Sequence, residues 1–399
     1  MKQKQCVAML LAGGEGKRLG ILTSQKAKPA VHFGGSARMI DFALSNCRHS
    51  CLDTVGVVTQ YRPESLHHHI GLGSAWLEQP ERGEIALLSS RQAHIGGAEY
   101  LGTADAIYRN WPFIEKYNPD TVLVLSGDHI YHMDYRKLLE QHLATGADAT
   151  IAVTPVPLSE ASRFGIMKTD SNGRITEFSE KPKVPTSNLA SMGIYIFNTS
   201  FLRNYLKRDA EDASSSHDFG KNVIPAMLKE QAKLHAHEFK DYWRDVGTID
   251  SLWEAHMDLL GASPRFTASM DSRPLYSAKG VTASRFIESL GHVKQSLVCS
   301  DCTIHGQVEN SVISTEVVIG QGSRICDSVI MPGAQIGNGV TIYRSIIGEG
   351  AVIRDGATCG SLNGDSIMVI GDREIVNPQG QKLPKIFVSA NQLQAELIG

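Results

Sequence analysis

Short aliphatic runs alternate with longer amphipathic stretches from the start of the chain to about residue 255. The aliphatic runs predict buried β-strands at residues 7–11, 54–59, 121–125, 150–153 and 192–197. The stretches between them space their apolar residues as helices do, at residues 39–49, 102–116 and 135–145. Strands that alternate with helices indicate βαβ units, so this part of the chain is predicted to have an α/β fold with a mainly parallel sheet.

The pattern changes after about residue 290, where aliphatic residues recur every six positions. The phase slips by one residue twice, which gives the series Ile313, Ile319, Ile325, Met331, then Ile336, Ile342, then Ile347, Ile353. The tetrapeptide Ile-Gly-x-Gly occurs at residues 319–322, 336–339 and 347–350. A hexapeptide period is typical of a parallel β-helix, in which six residues form one side of a coil. Ordinary strands joined by glycine turns are the alternative.

The two patterns predict a division of the chain into three parts. Residues 1–255 form the α/β domain, and residues 291–399 form the β-helix with a C-terminal tail. Residues 256–290 contain Pro264 and the pair Arg273-Pro274 and have little periodicity. We therefore expect them to connect the two domains.

Composition narrows the classes of function. The chain has 399 residues, of which 42% are hydrophobic and 20% charged, with a net charge of −3. These values are ordinary for a globular protein and give no general attraction to nucleic acid or to an anionic membrane. No apolar run approaches the length of a membrane span, about 18 residues. Seven cysteines, an odd number in a long chain, suit free thiols in a reducing cytoplasm.

A glycine-rich loop follows the first predicted strand, at the kind of position where parallel sheets bind ligands. It reads Leu11-Ala12-Gly13-Gly14-Glu15-Gly16-Lys17-Arg18. Its glycines let backbone N–H groups approach a phosphate, and its two cations add positive charge. The loop matches neither the dinucleotide-binding pattern nor the P-loop, and a tight turn without a ligand is the alternative. We expect the loop to bind phosphate.

Charged residues farther along the chain are candidates for the same site. Lys28 follows the loop closely enough to contact a triphosphate. Asp128, which comes after Gly127 at the end of a predicted strand, could hold Mg²⁺, and Asp245 offers a second carboxylate. Spacing alone does not bring these two aspartates together.

Glu180 and Lys181 stand side by side before a proline. In a strand their side chains would face opposite ways, so we expect them not to pair with each other. Each could meet a different part of a ligand, Lys181 a phosphate and Glu180 a hydroxyl group. Solvated turn residues are the alternative.

Several longer blocks carry a specific resemblance. Besides the glycine loop they are Lys-Pro-Ala-Val at 28–31, Ile-Asp-Phe-Ala-Leu-Ser-Asn-Cys at 40–47, Gly-Thr-Ala-Asp-Ala at 102–106, Ser-Gly-Asp-His-Ile-Tyr at 126–131, Ser-Met-Gly-Ile-Tyr at 191–195, Ser-Ser-His-Asp-Phe-Gly-Lys at 215–221 and Tyr-Trp-Arg-Asp-Val-Gly-Thr at 242–248. With the hexapeptide tail, these blocks make the chain resemble the bacterial glucose-1-phosphate adenylyltransferases, also called ADP-glucose pyrophosphorylases, over nearly its whole length. The resemblance implies a Rossmann-like nucleotidyltransferase domain followed by a left-handed parallel β-helix.

The resemblance also implies a reaction, in which ATP and α-D-glucose 1-phosphate give ADP-glucose and pyrophosphate with Mg²⁺, the committed step of glycogen synthesis. The residues expected to bind the nucleotide are Leu11, Ala12, Gly13, Gly14, Gly16, Arg18, Lys28, Gly127 and Asp128. The residues expected to bind glucose 1-phosphate are Tyr100, Gly165, Glu180, Lys181 and Ser191. Arg18, Lys28 and Asp128 would be catalytic. Asp128 and Asp245 would hold the metal.

The resemblance further implies a homotetramer or a heteromer with a related subunit, and it leaves other functions open. The chain could be a non-catalytic regulatory subunit, although Asp128, Lys181 and Asp245 are retained. It could use another nucleotide. An acetyltransferase in the hexapeptide half is disfavoured because that half is short and His305 is isolated.

Two further groups of residues are weak metal candidates. Cys299 and Cys302 have a zinc-like spacing, but structural zinc takes four ligands and no second such pair exists. The histidines at 67–69 are interpreted as a helix surface, because consecutive residues do not share a helix face.

Some positions depart from the family pattern. Glu15 stands where the family usually has Arg or Lys, with Lys17 as a neighbouring cation that offsets it. Ser36 and Ala37 replace the usual Lys-Tyr, and Leu101 replaces a basic residue. We expect these losses of positive charge to affect the affinity for ATP more than the reaction itself.

Gln25 occupies a position that is Lys in the enteric enzymes activated by fructose 1,6-bisphosphate. Because this cation is missing, we predict weak or absent activation by that ligand. Rates of ADP-glucose formation with and without the bisphosphate measure the effect, and a many-fold rise in rate would contradict the prediction.

Overall fold

The computed structural model describes residues 4–90, 99–270, 272–281, 284–361, 364, 366–379 and 382–383. The end of the predicted C-terminal tail, residues 384–399, lies outside the described residues. In the part of the chain that is described, no helix is long and apolar enough to cross a membrane.

Strands and helices alternate through the first part of the chain. Its strands are β1 (Cys6–Leu11), β2 (His32–Phe33), β3 (Ala37–Arg38), β4 (Thr54–Thr59), β5 (Glu84–Ser89), β6 (Thr121–Ser126), β7 (His129–Tyr131), β8 (Ala149–Pro155), β9 (Gly165–Thr169), β10 (Ile175–Glu180), β11 (Leu189–Asn198), β12 (Leu234–Glu238) and β13 (Trp243–Asp245). Its helices are α1 (Met39–His49), α2 (Glu64–Ile70), α3 (Thr103–Arg109), α4 (Trp111–Tyr117), α5 (Tyr135–Thr145), α6 (Leu158–Ala161), α7 (Thr199–Glu211), α8 (Ile224–Lys229) and α9 (Ile249–Met257). Short 3-10 segments occur at Lys17–Thr23, Lys28–Ala30 and Ser74–Trp76, and a π-helical turn at Phe219–Val223.

A nine-stranded sheet forms the centre of this part. Its strand order is β10-β9-β11-β6-β1-β4-β5, and β8 pairs with β11 and β12. β1 is parallel to β4 and β6, whereas β11 is antiparallel to its neighbours. Alternate residues of β1 enter the apolar clusters on the two faces, Ala8 and Leu10 on one and Val7 and Met9 on the other. The predicted α/β fold with a mainly parallel sheet is confirmed.

Local differences from the predicted elements have local causes. The predicted helix over 102–116 is two helices, α3 and α4, which meet at Asn110. Pro112 in the first turn of α4 has no N–H to continue the hydrogen bonds of a single helix. The three histidines lie on α2, but His69 is buried, with Nε2 2.6 Å from Asp41 Oδ1, so the interpretation of this triplet as a helix surface is wrong for His69.

The second part of the chain winds into a parallel β-helix, as predicted. Its strands are β14 (Ser284–Leu290), β15 (Val293–Cys299), β16 (Thr303–Ile304), β17 (Gln307–Glu309), β18 (Val312–Ile313), β19 (Val318–Ile319), β20 (Arg324–Cys326), β21 (Val329–Ile330), β22 (Gln335–Ile336), β23 (Thr341–Tyr343), β24 (Ser345–Ile347), β25 (Val352–Ile353), β26 (Thr358–Cys359), β27 (Met368–Ile370), β28 (Ile375–Val376) and β29 (Lys382–Leu383). Parallel ladders form its sides: β17-β20-β23-β26, β18-β21-β24-β27 and β16-β19-β22-β25-β28.

The coil length explains the slipping six-residue period. Buried Ser311, Ser328 and Ser345 stack on successive coils, 17 residues apart. This spacing is one residue short of three hexapeptides, so each coil contains one slip. The N–H of Ser328 donates to Ser311 Oγ at 3.1 Å, and the N–H of Ser345 donates to Ser328 Oγ at 3.1 Å. The stack therefore satisfies buried polar groups while it sets the register of the coils.

The β-helix packs against the α/β part of the chain. An apolar cluster contains residues of both parts, Phe33 from the first and Val312 from the second among them. Beside it, Lys26 Nζ lies 2.7 Å from Asp372 Oδ2 and 3.1 Å from Glu349 Oε2, and the lysine side chain is only 5% exposed. Lys26 therefore joins the two parts of the chain by a nearly buried ion pair.

Lys26→Met should lower the free energy of unfolding by about 2 kcal/mol, because two half-buried carboxylates of the β-helix lose their cation. The midpoint of thermal unfolding measures this loss. The matched control is Lys168→Met, which removes an ion pair with Glu177 whose side chains are 39% and 61% exposed. Such exposed pairs contribute little, so the control should unfold close to the wild-type temperature. Equal midpoints for the two variants would contradict the prediction.

Candidate active site

The glycine loop leaves β1 in the middle of the sheet, and the neighbouring strand β6 ends beside it. Leu11 pairs with Ser126 in the parallel register, and Gly127 N donates to Leu11 O at 3.0 Å. Ala12 is fully buried, and its N–H donates to Val58 O at 2.8 Å. The two segments predicted to bind the nucleotide, the glycine loop and Gly127-Asp128, therefore lie side by side at the carboxyl ends of adjacent parallel strands, where α/β sheets bind ligands.

The glycine loop folds over the backbone of Lys28. Lys28 N donates to Gly14 O at 3.3 Å. Gly16 has a φ of +68°, and a Cβ at this position would lie 2.8 Å from Lys28 Cβ, so only glycine fits. Gly13 packs against Gln60, whereas no described atom lies within 4 Å of a Cβ added at Gly14. The loop is thus held tightly at its base and faces open space at Gly14.

A buried lysine joins two carboxylates at this edge of the sheet. Lys28 Nζ lies 2.9 Å from Asp128 Oδ2 and 3.1 Å from Asp245 Oδ1, and the lysine side chain is 6% exposed. Asp245 reaches this place because β13 pairs antiparallel with β7, with Asp245 opposite His129. Ser126 Oγ donates a hydrogen bond to Asp128 Oδ1. The structure therefore brings together the two aspartates that sequence spacing could not connect.

These three charges stabilise one another. Burial alone would lower the pKa of Lys28, but Asp128 and Asp245 raise this pKa above its usual value. Burial would likewise raise the pKa of each aspartate, but Lys28 and His129 hold both below the usual range. All three groups are therefore charged at neutral pH.

His129, which was not predicted as a site residue, borders both carboxylates. Its Nε2 lies 3.6 Å from Asp128 Oδ1 and 3.9 Å from Asp245 Oδ1. Its ring packs edge-on against Trp243, with 5.2 Å between the ring centroids. The signal that could have found it is its place directly after Asp128 in the block at 126–131.

Arg18 approaches the segment that follows Asp245. A Cβ added at Gly247 would lie 2.9 Å from Arg18 Nη2 and 3.1 Å from each carboxylate oxygen of Asp245. Lys17 points elsewhere: its side chain is 80% exposed, and its Nζ lies 3.0 Å from Glu15 Oε2. Lys17 thus offsets the charge of Glu15, as expected, through an exposed pair that contributes little stability.

A second polar group lies where β9 pairs with β10. Glu180 pairs in register with Gly165, and a Cβ would lie 2.9 Å from Glu180 Oε2 at Gly165 and 2.5 Å from it at Gly220. Glycine at these two positions therefore leaves the room that the carboxylate fills. The prediction that Glu180 and Lys181 do not pair is wrong, since Lys181 Nζ lies 3.0 Å from Glu180 Oε1. β10 ends at Glu180 and Lys181 has a φ of +47°, so the alternation of a strand no longer separates the two side chains.

β11 adds a serine and a tyrosine to this second group. Ser191 Oγ donates to Tyr195 Oη at 3.4 Å. Burial, together with the carboxylates of Glu180 and Asp218, raises the pKa of Tyr195 to about 12, so its hydroxyl is protonated. Tyr195 and Asp218 were not predicted as site residues, yet both lie inside the blocks at 191–195 and 215–221 that carried the resemblance.

Tyr100 is held by a different set of contacts. Its ring is buried in the same apolar cluster as Phe219, and its hydroxyl accepts a hydrogen bond from Asn110 Nδ2 at 2.8 Å. Its N–H donates to Gln60 Oε1 at 2.9 Å, and Gln60 also packs against Gly13. Tyr100 is therefore tied to the glycine loop through Gln60, and its contact with a sugar phosphate stays a prediction.

The donor atoms of Asp128 and Asp245 fit a magnesium ion. Mg²⁺ takes one or two protein carboxylates and completes its ligands with water and phosphate oxygens. Within the described ranges, no three His, Cys, Asp or Glu side chains are grouped to hold a metal, and this includes Cys299, Cys302 and His305. Magnesium at the two aspartates would therefore take its remaining ligands from water and from a bound phosphate.

Known proteins share this architecture. A family profile described as nucleotidyl transferase matches residues 7–261, and one described as GlmU-like, C-terminal hexapeptide, matches residues 277–365. The chain is 53% identical over 325 residues to glucose-1-phosphate adenylyltransferase of Clostridium acetobutylicum. The aligned region covers 82% of this chain and 86% of the relative. It is also 53% identical over 323 residues to the protein of the same name from Halalkalibacterium halodurans. That aligned region covers 81% of this chain and 84% of the relative.

The parallel sheet, the glycine loop at its carboxyl edge and the hexapeptide coil together define an enzyme of the nucleotidyltransferase class. Within this class, the chain belongs to the glucose-1-phosphate adenylyltransferase family. The resemblance found in the sequence blocks is thereby confirmed.

Lys28→Met should lower the free energy of unfolding by about 3 kcal/mol at neutral pH, because two buried carboxylates are left without a cation. In the wild type the aspartate pKa values are depressed, so their stabilising contribution is complete above about pH 4 and is lost only as pH falls through the depressed values. In the variant the pKa values of Asp128 and Asp245 rise, because the cation between them is missing. Protonation of these carboxylates at mildly acidic pH then relieves the repulsion between them.

Thermal unfolding of the wild type and Lys28→Met at about pH 7 and about pH 5 measures this difference. The gap between the two unfolding midpoints should narrow at the lower pH. A gap that is equal or wider there would mean that the two aspartates do not depend on Lys28 for their charge.

Proposed function

We propose that this chain transfers the adenylyl group of ATP to α-D-glucose 1-phosphate, which gives ADP-glucose and pyrophosphate, the committed step of glycogen synthesis. The observation that carries the proposal is the buried Lys28 between Asp128 and Asp245. Lys28 lies by the glycine loop, which suits a triphosphate, and β11, which carries part of the polar group that suits a sugar, approaches Ser126 and His129 at Gly193. The names of relatives that share half or more of the aligned residues support the same reaction.

The glycine-loop side would bind the nucleotide. The residues proposed for this side are Leu11, Ala12, Gly13, Gly14, Gly16, Arg18, Lys28, Gly127 and Asp128. The open space at Gly14 suits triphosphate oxygens that accept hydrogen bonds from the loop N–H groups. Arg18 and Lys28 would neutralise the charge that develops on the departing pyrophosphate.

The β9–β11 side would bind glucose 1-phosphate. The residues proposed for it are Tyr100, Gly165, Glu180, Lys181 and Ser191. The Glu180 carboxylate, held between two glycines, would accept hydrogen bonds from sugar hydroxyls. The Lys181 side chain is 61% exposed, so its ammonium group is free to move from Glu180 to the sugar phosphate. Tyr195 and Asp218 would extend the same wall.

The proposed reaction needs no nucleophilic side chain and no general base. An oxygen of the sugar phosphate is already anionic at neutral pH, so no proton has to be removed before it attacks. It attacks the α-phosphorus of ATP while the bond to pyrophosphate breaks in line. The protein contributes by orienting the two substrates and by neutralising their charges.

Mg²⁺ is the proposed cofactor, with Asp128 and Asp245 as its protein ligands. When bound, the ion would stabilise the charge on the phosphate oxygens in the transition state. The depressed pKa of each aspartate supports this role, since both carboxylates are ionised at neutral pH and need lose no proton to bind a metal.

The proposed setting is the cytoplasm, and the proposed assembly is a homotetramer or a heteromer with a related subunit. All seven cysteines are free thiols, which suits a reducing compartment. A hexapeptide coil next to a catalytic domain supports a role in assembly. A net charge of −3 favours neither nucleic acid nor membranes as partners.

The proposed domains are residues 1–255 for catalysis, 256–290 for the connection and 291–399 for the β-helix and tail. The end of α9 at Met257 and the start of β15 at Val293 support these boundaries, although β14 in the connection already pairs with β15. The connection is held against the catalytic part, since Trp76 Nε1 donates to Tyr276 O at 3.0 Å.

Pyrophosphate release with glucose 1-phosphate and each of ATP, UTP, GTP, CTP and dTTP tests the proposed reaction. We expect the fastest release with ATP in the presence of Mg²⁺. A preference for another nucleotide would assign a different sugar nucleotidyltransferase, and no release with any nucleotide would favour the non-catalytic regulatory subunit.

Asp128→Asn links the measured activity to this site. It should reduce pyrophosphate release about a hundredfold or more, because it removes a charged metal ligand and a partner of Lys28. Asp250→Asn, on the exposed face of α9, is the matched control and should retain the wild-type rate. Equal rates for the two variants would remove Asp128 from the reaction.

A further inference from the structure

The guanidinium group of Arg163 lies near Asp245, and one of its nitrogens is a buried donor without a partner among the described residues. Arg163 stands between α6 and β9, with Nη2 3.9 Å from Asp245 Oδ2 and Nη1 3.8 Å from Glu160 Oε2. Both distances are too long for hydrogen bonds. Nη2 is buried and has no hydrogen-bond partner among the described residues. A buried, charged donor of this kind is costly unless a ligand supplies an acceptor.

Arg163 and Lys28 lie near different carboxylate oxygens of Asp245. Lys28 contacts Oδ1, whereas Arg163 faces Oδ2. Arg163 therefore approaches the Asp245 carboxylate at the oxygen that Lys28 does not contact.

The neighbours of Arg163 belong to the proposed sugar side. Phe164 O accepts a hydrogen bond from Lys181 N at 3.0 Å, and Gly165 pairs with Glu180. The guanidinium carbon lies 5.6 Å from the centroid of the Phe164 ring, which itself packs against Trp243. This aromatic wall limits the directions in which the guanidinium can point.

We propose that Arg163 binds the phosphate group of the sugar phosphate and holds it for attack on the nucleotide. The inference rests on the proposed function and adds a residue to its sugar side. A guanidinium offers two parallel N–H donors that match two phosphate oxygens. Its positive charge also offsets the repulsion between the sugar phosphate and the triphosphate.

Steady-state kinetics of Arg163→Ala and Arg163→Lys test this assignment. Arg163→Ala should raise the KM for glucose 1-phosphate about ten- to a hundredfold, the range for hydrogen bonds to a charged group, with a much smaller change in the KM for ATP. Arg163→Lys should recover part of the loss, since an ammonium keeps the charge but not the paired donors. Glu160→Gln is the matched control, because it changes the other neighbour of the guanidinium and should leave both KM values near wild type.

Calorimetric titration of glucose 1-phosphate into the wild type and Arg163→Ala gives a second readout that does not need turnover. Weaker binding by the variant is expected, and equal binding or no binding to either protein would overturn the inference. If the wild type is active and Arg163→Ala has the same KM for glucose 1-phosphate, the inference about Arg163 is overturned while the proposed function stands. A rise confined to the KM for ATP would overturn it as well. If Arg163→Ala does not fold, Arg163→Lys decides by the same comparison.

Discussion

The ion pair of the buried Lys28 with Asp128 and Asp245 is the interaction on which the rest of the site depends. An almost fully buried ammonium is stable only where other charges replace its lost water, and here two carboxylates from distant parts of the chain do so. One carboxylate follows the central strand β6, and the other arrives through the pairing of β13 with β7. The glycine loop closes over Lys28 because the lysine backbone is fixed below it. One cation thus sets the relative positions of the loop, the strand end and the β7–β13 pair.

Glycines, which have no side chain, leave the space that the charged groups of the site occupy. Gly16 lets the loop touch Lys28, and Gly165 and Gly220 leave a cavity for the carboxylate of Glu180. A chain with a net charge of −3 can therefore bring several cations into one cleft, where local charge and not net charge decides what binds. The two polyanionic substrates of the proposed reaction require this kind of local concentration.

The sequence was sufficient to predict those elements whose bounds depend on the local pattern of residues. The strand Thr54–Thr59 and the helices Met39–His49 and Tyr135–Thr145 have the predicted bounds, because periodicity and turn residues determine them. The same is true of the coil, whose slipped period follows from its 17-residue spacing. The contact between the two aspartates depends on long-range strand pairing, which no spacing encodes. The pairing of Glu180 with Lys181 depends on one positive φ at the end of a strand, and the alternation rule fails there.

The β-helix contacts the catalytic part in several places, and one of them is the segment that carries Lys28. Ser311, Ser328 and Ser345 stack at 17 residues, but Glu349 N donates to an acceptor 23 residues away, Asp372 Oδ1, because the coil before β27 is longer. This longer coil brings two carboxylates to the same lysine, Lys26, two residues before Lys28. Lys26 and Lys28 thus tie neighbouring positions of one segment to different partners, the first to the β-helix and the second to the aspartates. Because only Ala27 separates the two lysines, the ion pairs of Lys26 with Glu349 and Asp372 help to fix the backbone of the segment that carries Lys28 into the active site.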